Sequence, residues 1–348
     1  MKTYRITLRP QSAITSIPSS DTLFGAICWS IRLLYGNNKL KEILSRFSSN
    51  DPPFILSSSF PISSSGIMFF PKPKLKKLSP DTLISIASEE YKGNRVKEAL
   101  FKVISAYKEF SKISYISQGL LKAILDGSAT EETLFRGFIN DKTILKKHGF
   151  LLKKEEANLI EESFIKSEIR VRTRIDRLSG STSGEGEMFH NEIKFIGSGF
   201  SLFFLLKTDE ISLLEPLVNG NKFLSDHGIG GDRNIGFNHF KLSLEELNLN
   251  LGGEGKIFVT LSKYIPVVEE IDANKDFLSY DVIPYISRVD NTYDFRGKFV
   301  KDRVFYMKEG SVFKAKEKKE FYGRIAKVCV IGEEEIYQNG FAFPLFFN

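Results

Sequence analysis

Five consecutive apolar residues, Leu202-Phe-Phe-Leu-Leu206, preceded two positions earlier by Phe200, call for a strand that is covered on both faces. Such a strand lies inside a sheet, so the rest of the chain must supply its neighbours. Tyr4, Ile6 and Leu8 alternate with polar residues, the period of a half-buried strand, and Phe237 to Leu247 alternates again. Leu23, Ile27, Ile31 and Leu34 mark one face of a helix opened by Ser20 or Asp21 and stopped by Gly36-Asn37-Asn38. Phe54 to Pro61 and Gly66 to Pro71 read as two short strands around a serine-rich turn, and Glu210 to Val218 as a second helix.

The order strand, helix, strand, strand, helix, strand is that of a ferredoxin-like unit and predicts an α+β fold. Ser79-Pro80 opens a helix-rich insertion over about residues 79–165, in which Val96, Leu100, Val103, Tyr107 and Phe110 form an apolar face and helical patterning resumes from Thr130 to about Glu162. Residues 167–198 read as a protruding β-hairpin whose middle, Leu178 to Gly186, is small, polar and glycine-rich. A first domain then spans 1–250, Gly252-Gly-Glu-Gly255 reads as a linker, and 254–348 forms a second, smaller domain of strands with poorly marked helices. Its aromatic end, Gly340 to Phe347, should dock on that domain.

Composition narrows the classes of function. A net charge of +6 is modest but uneven: Lys166 to Arg177 holds five basic residues against two acidic ones, and Lys72, Lys74, Lys76 and Lys77 form a second run. Apolar runs fall far short of the ~20 residues of a membrane helix, and the amino terminus has no export signal, which predicts a cytoplasmic protein without membrane contact. Cys28 and Cys329 have neither CxxC spacing nor clustered histidines, so the expectation is packed thiols, with no disulfide, metal or cofactor.

Two segments carry the candidate chemistry. In the first arm of the hairpin Arg170, Arg172 and Arg174 recur at every second residue, so a strand carries them on one face with Ile169, Val171, Thr173 and Ile175 opposite. With no carboxylate at the matching alternate positions, this arm favours a phosphate ribbon over a merely solvated face. Met188 and Phe189 on the return arm read either as packing at the hairpin base or as a wedge against a base step. The loop at 227–237 contains Gly228, Gly230, Gly231, Arg233 and Gly236; it reads either as a mobile connection or as an N–H nest for phosphate, with Arg233 supplying a fork of charge.

These pieces resemble the RAMP superfamily of CRISPR proteins, and within it the guide-capping members of type III-A (Csm) complexes. The resemblance spans most of the chain. It rests on Ser20-Asp-Thr-Leu-Phe-Gly25, Phe70-Pro-Lys-Pro73, Lys112-Ile-Ser-Tyr-Ile116, Arg170 to Arg177 with Gly184 to Phe189, Gly228 to Phe237, and Gln338 to Pro344. It implies two ferredoxin-like (RRM-like) domains in tandem, with the hairpin as a thumb wedging into a guide–target RNA duplex. Met188 and Phe189 would then be the wedge, and Arg170, Arg172, Arg174 and Arg177 the backbone contacts. The glycine loop would lie along the crRNA 5′ handle phosphates, and Ser20, Phe24 and Gly25 would be further RNA contacts. Implied partners are the large polymerase-like subunit and an adjacent RAMP backbone subunit. Asn238 departs from the family, where another glycine tends to stand.

Some RAMP proteins are ribonucleases that use a histidine as general acid or base. Here His148, His190, His227 and His239 lie outside the first strand, first helix and their connecting loop, and Pro10 to Ser20 has no acid. Asp21 reads as part of the helix cap. The expectation is therefore a non-catalytic RNA scaffold, against an endoribonuclease using His227 or His239 and a protein-only adaptor.

Overall fold

The computed structural model describes residues 1–91, 95–140, 143–173, 175, 178–182, 188–218, 223–272, 279–289, 300–332 and 334–348. Strand β1 (Lys2–Pro10) leads into helices α1 (Ser20–Tyr35) and α2 (Asn37–Ser48), then strands β2 (Phe54–Leu56) and β3 (Phe60–Ser63). An inserted unit follows with β4 (Phe69–Pro71), α3 (Pro80–Glu90), α4 (Val96–Ser111), β5 (Tyr115–Ser117), α5 (Gln118–Leu125), α6 (Glu131–Ile139), β6 (Ile144–Lys147), β7 (Phe150–Lys153) and the single turn α7 (Lys154–Ala157). The hairpin β8 (Ile165–Thr173) and β9 (Met188–Ile196) precedes β10 (Phe200–Thr208), α8 (Ile211–Val218), α9 (Phe223–His227) and β11 (Phe240–Glu246). The remainder is β12 (Ile257–Thr260), β13 (Val282–Tyr285), β14 (Val304–Met307), β15 (Val312–Lys314), β16 (Tyr322–Gly323), β17 (Ala326–Ile331), β18 (Glu334–Gln338), β19 (Phe341–Ala342) and β20 (Pro344–Phe346). The fold is mixed α+β.

The strand that the sequence required to be buried on both faces is β10. It lies inside an antiparallel sheet of order β11-β1-β10-β2, with β3 also paired to β10. Ile6 faces Phe204 and Leu8 faces Leu202 on one side, Leu206 faces Leu56 on the other, and Leu202 to Leu206 are all buried. Helix α1 places Leu23, Phe24, Ile27 and Ile31 in the core, while Leu34, expected on the same face, is exposed. The expected hairpin between residues 54–61 and 66–71 reduces to one bridge, Ile62 with Met68, because β2 and β3 pair with β10 and β4 pairs with β5.

In the insertion, the Ser79 hydroxyl accepts from the Thr82 N–H and caps α3 ahead of Pro80, as its sequence predicts. Residues 144–153, expected to be helical, form the hairpin β6–β7 inside a sheet of order β4-β5-β7-β6. Its turn puts both His148 (φ 50°) and Gly149 (φ 86°) in the left-handed region, the backbone that matches the twist of a two-residue hairpin. Lys72, read as part of a basic run, is interior. Its Nζ donates to Glu131 Oε1 at 3.2 Å, both side chains 9% exposed, and sits 3.5 Å from the Phe110 ring centroid. Lys74 is paired with Asp281. Burial pulls the Lys72 pKa down and pushes that of Glu131 up, so desolvation outweighs the mutual attraction of the pair. The paired replacement Lys72→Met with Glu131→Leu is therefore expected to hold stability within about 1–2 kcal/mol in a urea titration, whereas either change alone destabilises.

Beyond His227 no α-helix occurs among the described residues, so the described part of 254–348 supplies strands of the expected second domain and one 3-10 turn, Val268–Glu270. The boundary near residue 250 does not divide the core. Val259, Leu261, Phe341, Phe343 and Leu345 join the same buried cluster as Ile6 and Phe204, and Phe341 lies 5.8 Å from Phe47. The glycines read as a linker are strapped down: the Gly253 and Gly255 N–H groups donate to the Phe346 and Phe347 carbonyls at 2.7 and 2.8 Å.

Fully buried Tyr264 and Tyr306 have phenol pKa values raised mainly by burial. An acid whose folded pKa lies above its unfolded value contributes stability that is complete below the unfolded pKa, about 10, and is lost as pH rises beyond it. Stability should therefore fall above about pH 10 by roughly 1.4 kcal/mol per pH unit for each of the two tyrosines, measurable by denaturant titration across that range.

Candidate nucleic-acid interface

Three segments meet at one end of the central sheet: the hairpin β8–β9, the loop 11–19 and the glycine loop. Ile14 and Lys194 exchange both backbone hydrogen bonds at 2.8 and 2.9 Å, which anchors the hairpin to the loop after β1. Asn238 ties that loop to the glycine loop, accepting from the Thr15 N–H and donating to Thr15 Oγ1, each at 2.9 Å, and donating to the Gly231 carbonyl at 2.6 Å. The Arg172 guanidinium sits 4.6 Å from the Phe237 ring centroid and joins the hairpin to the glycine loop.

The register of β8 and β9 sorts the hairpin faces. Arg172 lies opposite Phe189 and Arg170 opposite Asn191, while Val171 lies opposite His190 and Thr173 opposite Met188. Met188 and Phe189 therefore point to opposite faces, and both are exposed. The arginine register is not free of acid: Glu168, two residues before Arg170, accepts from Arg170 Nε at 3.0 Å. Arg170 also lies 5.6 Å from the Phe195 ring. The opposite face, with Ile169 70% and Val171 56% exposed, is the more open one. Arg174 and Arg177 lie outside the described residues.

In the glycine loop Gly228, Gly230 and Gly236 have φ of 78°, 96° and 90°, and Asp232 and Asn238 share the left-handed region. A Cβ on Gly228 would stand 3.1–3.3 Å from Arg233, Asn238 and His239 atoms. Much of the loop's polarity is spent internally. The Ile229, Gly236, Phe237 and Asn238 N–H groups donate to backbone carbonyls, and Arg233, expected to reach outward, donates from Nη1 to the Gly230 carbonyl at 3.1 Å. Among the described residues the Gly230, Gly231 and Asp232 N–H groups have no such partner, and Gly231 and Asp232 are exposed. The Asp232 carboxylate works against an anion at this tip.

Other expected contacts lie elsewhere. Ser20 is fully buried and its hydroxyl accepts from the Lys263 N–H at 3.0 Å; Phe24 packs between Phe47 and Phe54. Gly25 lines a groove of about 540 Å³ with Cys28, Trp29 and Tyr337, separate from the hairpin. Asp21 is not a cap. Ser19 stands at the N-cap position of helix α1 without a side-chain capping bond, its hydroxyl donating instead to Asp21 Oδ1 at 2.6 Å, and the Asp21 carboxylate takes Lys263 Nζ at 2.8 Å. His239 has its Nε2 3.0 Å from the Arg233 carbonyl, and His227 stacks on Phe223. Among the described residues no three His, Cys, Asp or Glu side chains cluster as for a metal ion.

The sequence reading missed Phe237 and Asn238 as the joints of the site. Asn238 could have been found from its type, since asparagine tolerates the left-handed backbone where other side chains are strained. Asn238→Ala, which loses three hydrogen bonds from a 2% exposed side chain, should cost about 2–4 kcal/mol by thermal melting, while Asn238→Gly relieves the backbone share and costs less.

Comparisons with known proteins bear on this geometry. The RAMP superfamily model matches residues 16–240, well over half of the chain. A chain in the crystal structure of the Csm3–Csm4 subcomplex of the type III-A CRISPR-Cas interference complex superimposes with a TM-score of 0.62 at 17% identity, covering 100% of both chains. Chains in crystal structures of the Csm1–Csm4 cassette, with AMPPNP and with pppApA, give TM-scores of 0.54 at 17% and 18% identity, covering 100% of this chain and 98% of each of those. No curated protein matches. At these identities the structures show a shared fold, and the family match, extending from the loop before α1 to the first residue of β11, shows the lineage: the chain belongs to the RAMP superfamily.

Proposed function

We propose that this chain is the guide-capping subunit of a type III-A CRISPR effector complex, a non-catalytic cytoplasmic protein that holds the crRNA 5′ handle and bridges it to the large polymerase-like subunit beside a RAMP backbone subunit. The observation that carries the reading is the junction of hairpin, loop 11–19 and glycine loop through Arg172, Phe237 and Asn238, in a fold shared with chains of the Csm3–Csm4 and Csm1–Csm4 structures. The order β11-β1-β10-β2, with helices after the first and third strands of that sheet, supports a ferredoxin-like first unit. Residues 254–348 act as a second, reduced unit of the same kind.

In this reading the hairpin is a thumb against the guide–target duplex, with Met188 and Phe189 as wedge and Arg170, Arg172, Arg174 and Arg177 on the backbone. Gly230, Gly231 and the Asp232 N–H meet handle phosphates, and Gly228, Arg233 and Gly236 hold the loop in shape. Ser20 and Phe24 act from the interior. His239, held by a backbone carbonyl, is poorly placed to move a proton on RNA.

The test is copurification with the large subunit and guide RNA, followed by mapping of protein–RNA crosslinks. Crosslinks concentrated at the 5′ end are expected; their absence there sinks the capping role. Incubation of the pure chain with labelled repeat RNA is expected to leave it intact, and specific cleavage abolished by His227→Ala or His239→Ala would replace the scaffold by a ribonuclease.

A further inference from the structure

Strands β13 and β14 pair so that Ile283, Tyr285, Val304 and Tyr306 face inward with Ile265 and Val328. At the described residues their other side is exposed and apolar. Pro284 lies opposite Phe305, which is 57% exposed; Val282 (47%), Ile286 (49%) and Val300 (42%) extend the surface, and Arg303, two residues before Phe305, is exposed beside it. An apolar sheet face of this kind marks an interaction site. Its make-up, aliphatic and aromatic side chains with arginine and neither lysine nor carboxylate at these positions, is that of the centre of a protein–protein interface.

We propose that this face docks a different folded protein, one that presents an apolar patch bearing a carboxylate for Arg303. Phe305 is the one aromatic ring among the residues named on this face, too few to stack successive bases, which argues against single-stranded RNA. Among the described residues this face carries no carboxylate with which a second copy of the chain could answer Arg303, which disfavours self-association. Strand addition is disfavoured as well, because Pro284 has no N–H to give to a new neighbour. Docking is therefore by side chains across the face.

The probe is the purified large subunit, a choice that rests on the function proposed above. Sedimentation velocity without RNA is expected to show a complex with the wild-type chain. Phe305→Glu should weaken it roughly 30-fold or more and Phe305→Ala less, with unchanged melting temperature and unchanged guide-RNA affinity. Wild-type binding that survives Phe305→Glu overturns the assignment alone. Failure of the wild-type chain to bind overturns the bridging role together with it. Loss of RNA affinity with the protein complex intact would make this a nucleic-acid face, and a concentration-dependent dimer abolished by Phe305→Glu would make it a self-contact.

Discussion

A Lys263→Met variant is expected to lose about 3–5 kcal/mol of stability in a denaturant titration. Lys263 Nζ meets Asp21 Oδ1 at 2.8 Å with the two side chains 9% and 3% exposed, and methionine would leave the Asp21 carboxylate buried without its cation. The lysine also lies 3.8 Å from the Tyr285 ring centroid and 5.5 Å from that of Tyr306, while its backbone N–H is held by the Ser20 hydroxyl. This cluster fastens the first turn of α1 to the segment after β12, so the loss should appear as weaker attachment of residues 254–348 to the central sheet. Asp21→Asn combined with Lys263→Met removes both charges and should recover most of the loss, because the cost of the single change is an unanswered charge and not the pair's own attraction. A single-variant shift under about 1 kcal/mol would show that water reaches the pair.

That cluster also marks where the sequence stops being readable. Strand alternation in residues 4–8 and the apolar run at 202–206 give the central sheet, since burial on one face or on both leaves a period in the chain itself. Asp21 fits a helix cap equally well by sequence, and only the lysine arriving from 242 residues away decides its role. Residues 144–153 look helical because two four-residue strands are too short to show a period of two; the His148–Gly149 turn between them was the available sign. Arg233 failed for a different reason. Charge type says what a side chain can bind but not whether its own loop needs it first, and here the Gly230 carbonyl does.

The hairpin makes a prediction with two signs. Removing Arg170, Arg172 and Arg174 together should flatten the salt dependence of RNA binding, since each phosphate-paired cation releases roughly one counterion. The expected decrease in slope is about two and not three, because Arg170 is already answered in part by Glu168 at 3.0 Å and Arg172 is engaged with Phe237. Glu168→Gln should move the other way. It frees Arg170 and removes a negative charge from the phosphate path, so RNA binding tightens and its salt dependence steepens by up to about one counterion. A surface that never meets RNA would show neither change, whereas general weakening by misfolding would lower affinity in both variants. Opposite shifts from the two variants, measured by filter binding from about 50 to 200 mM salt, would separate phosphate contact from both.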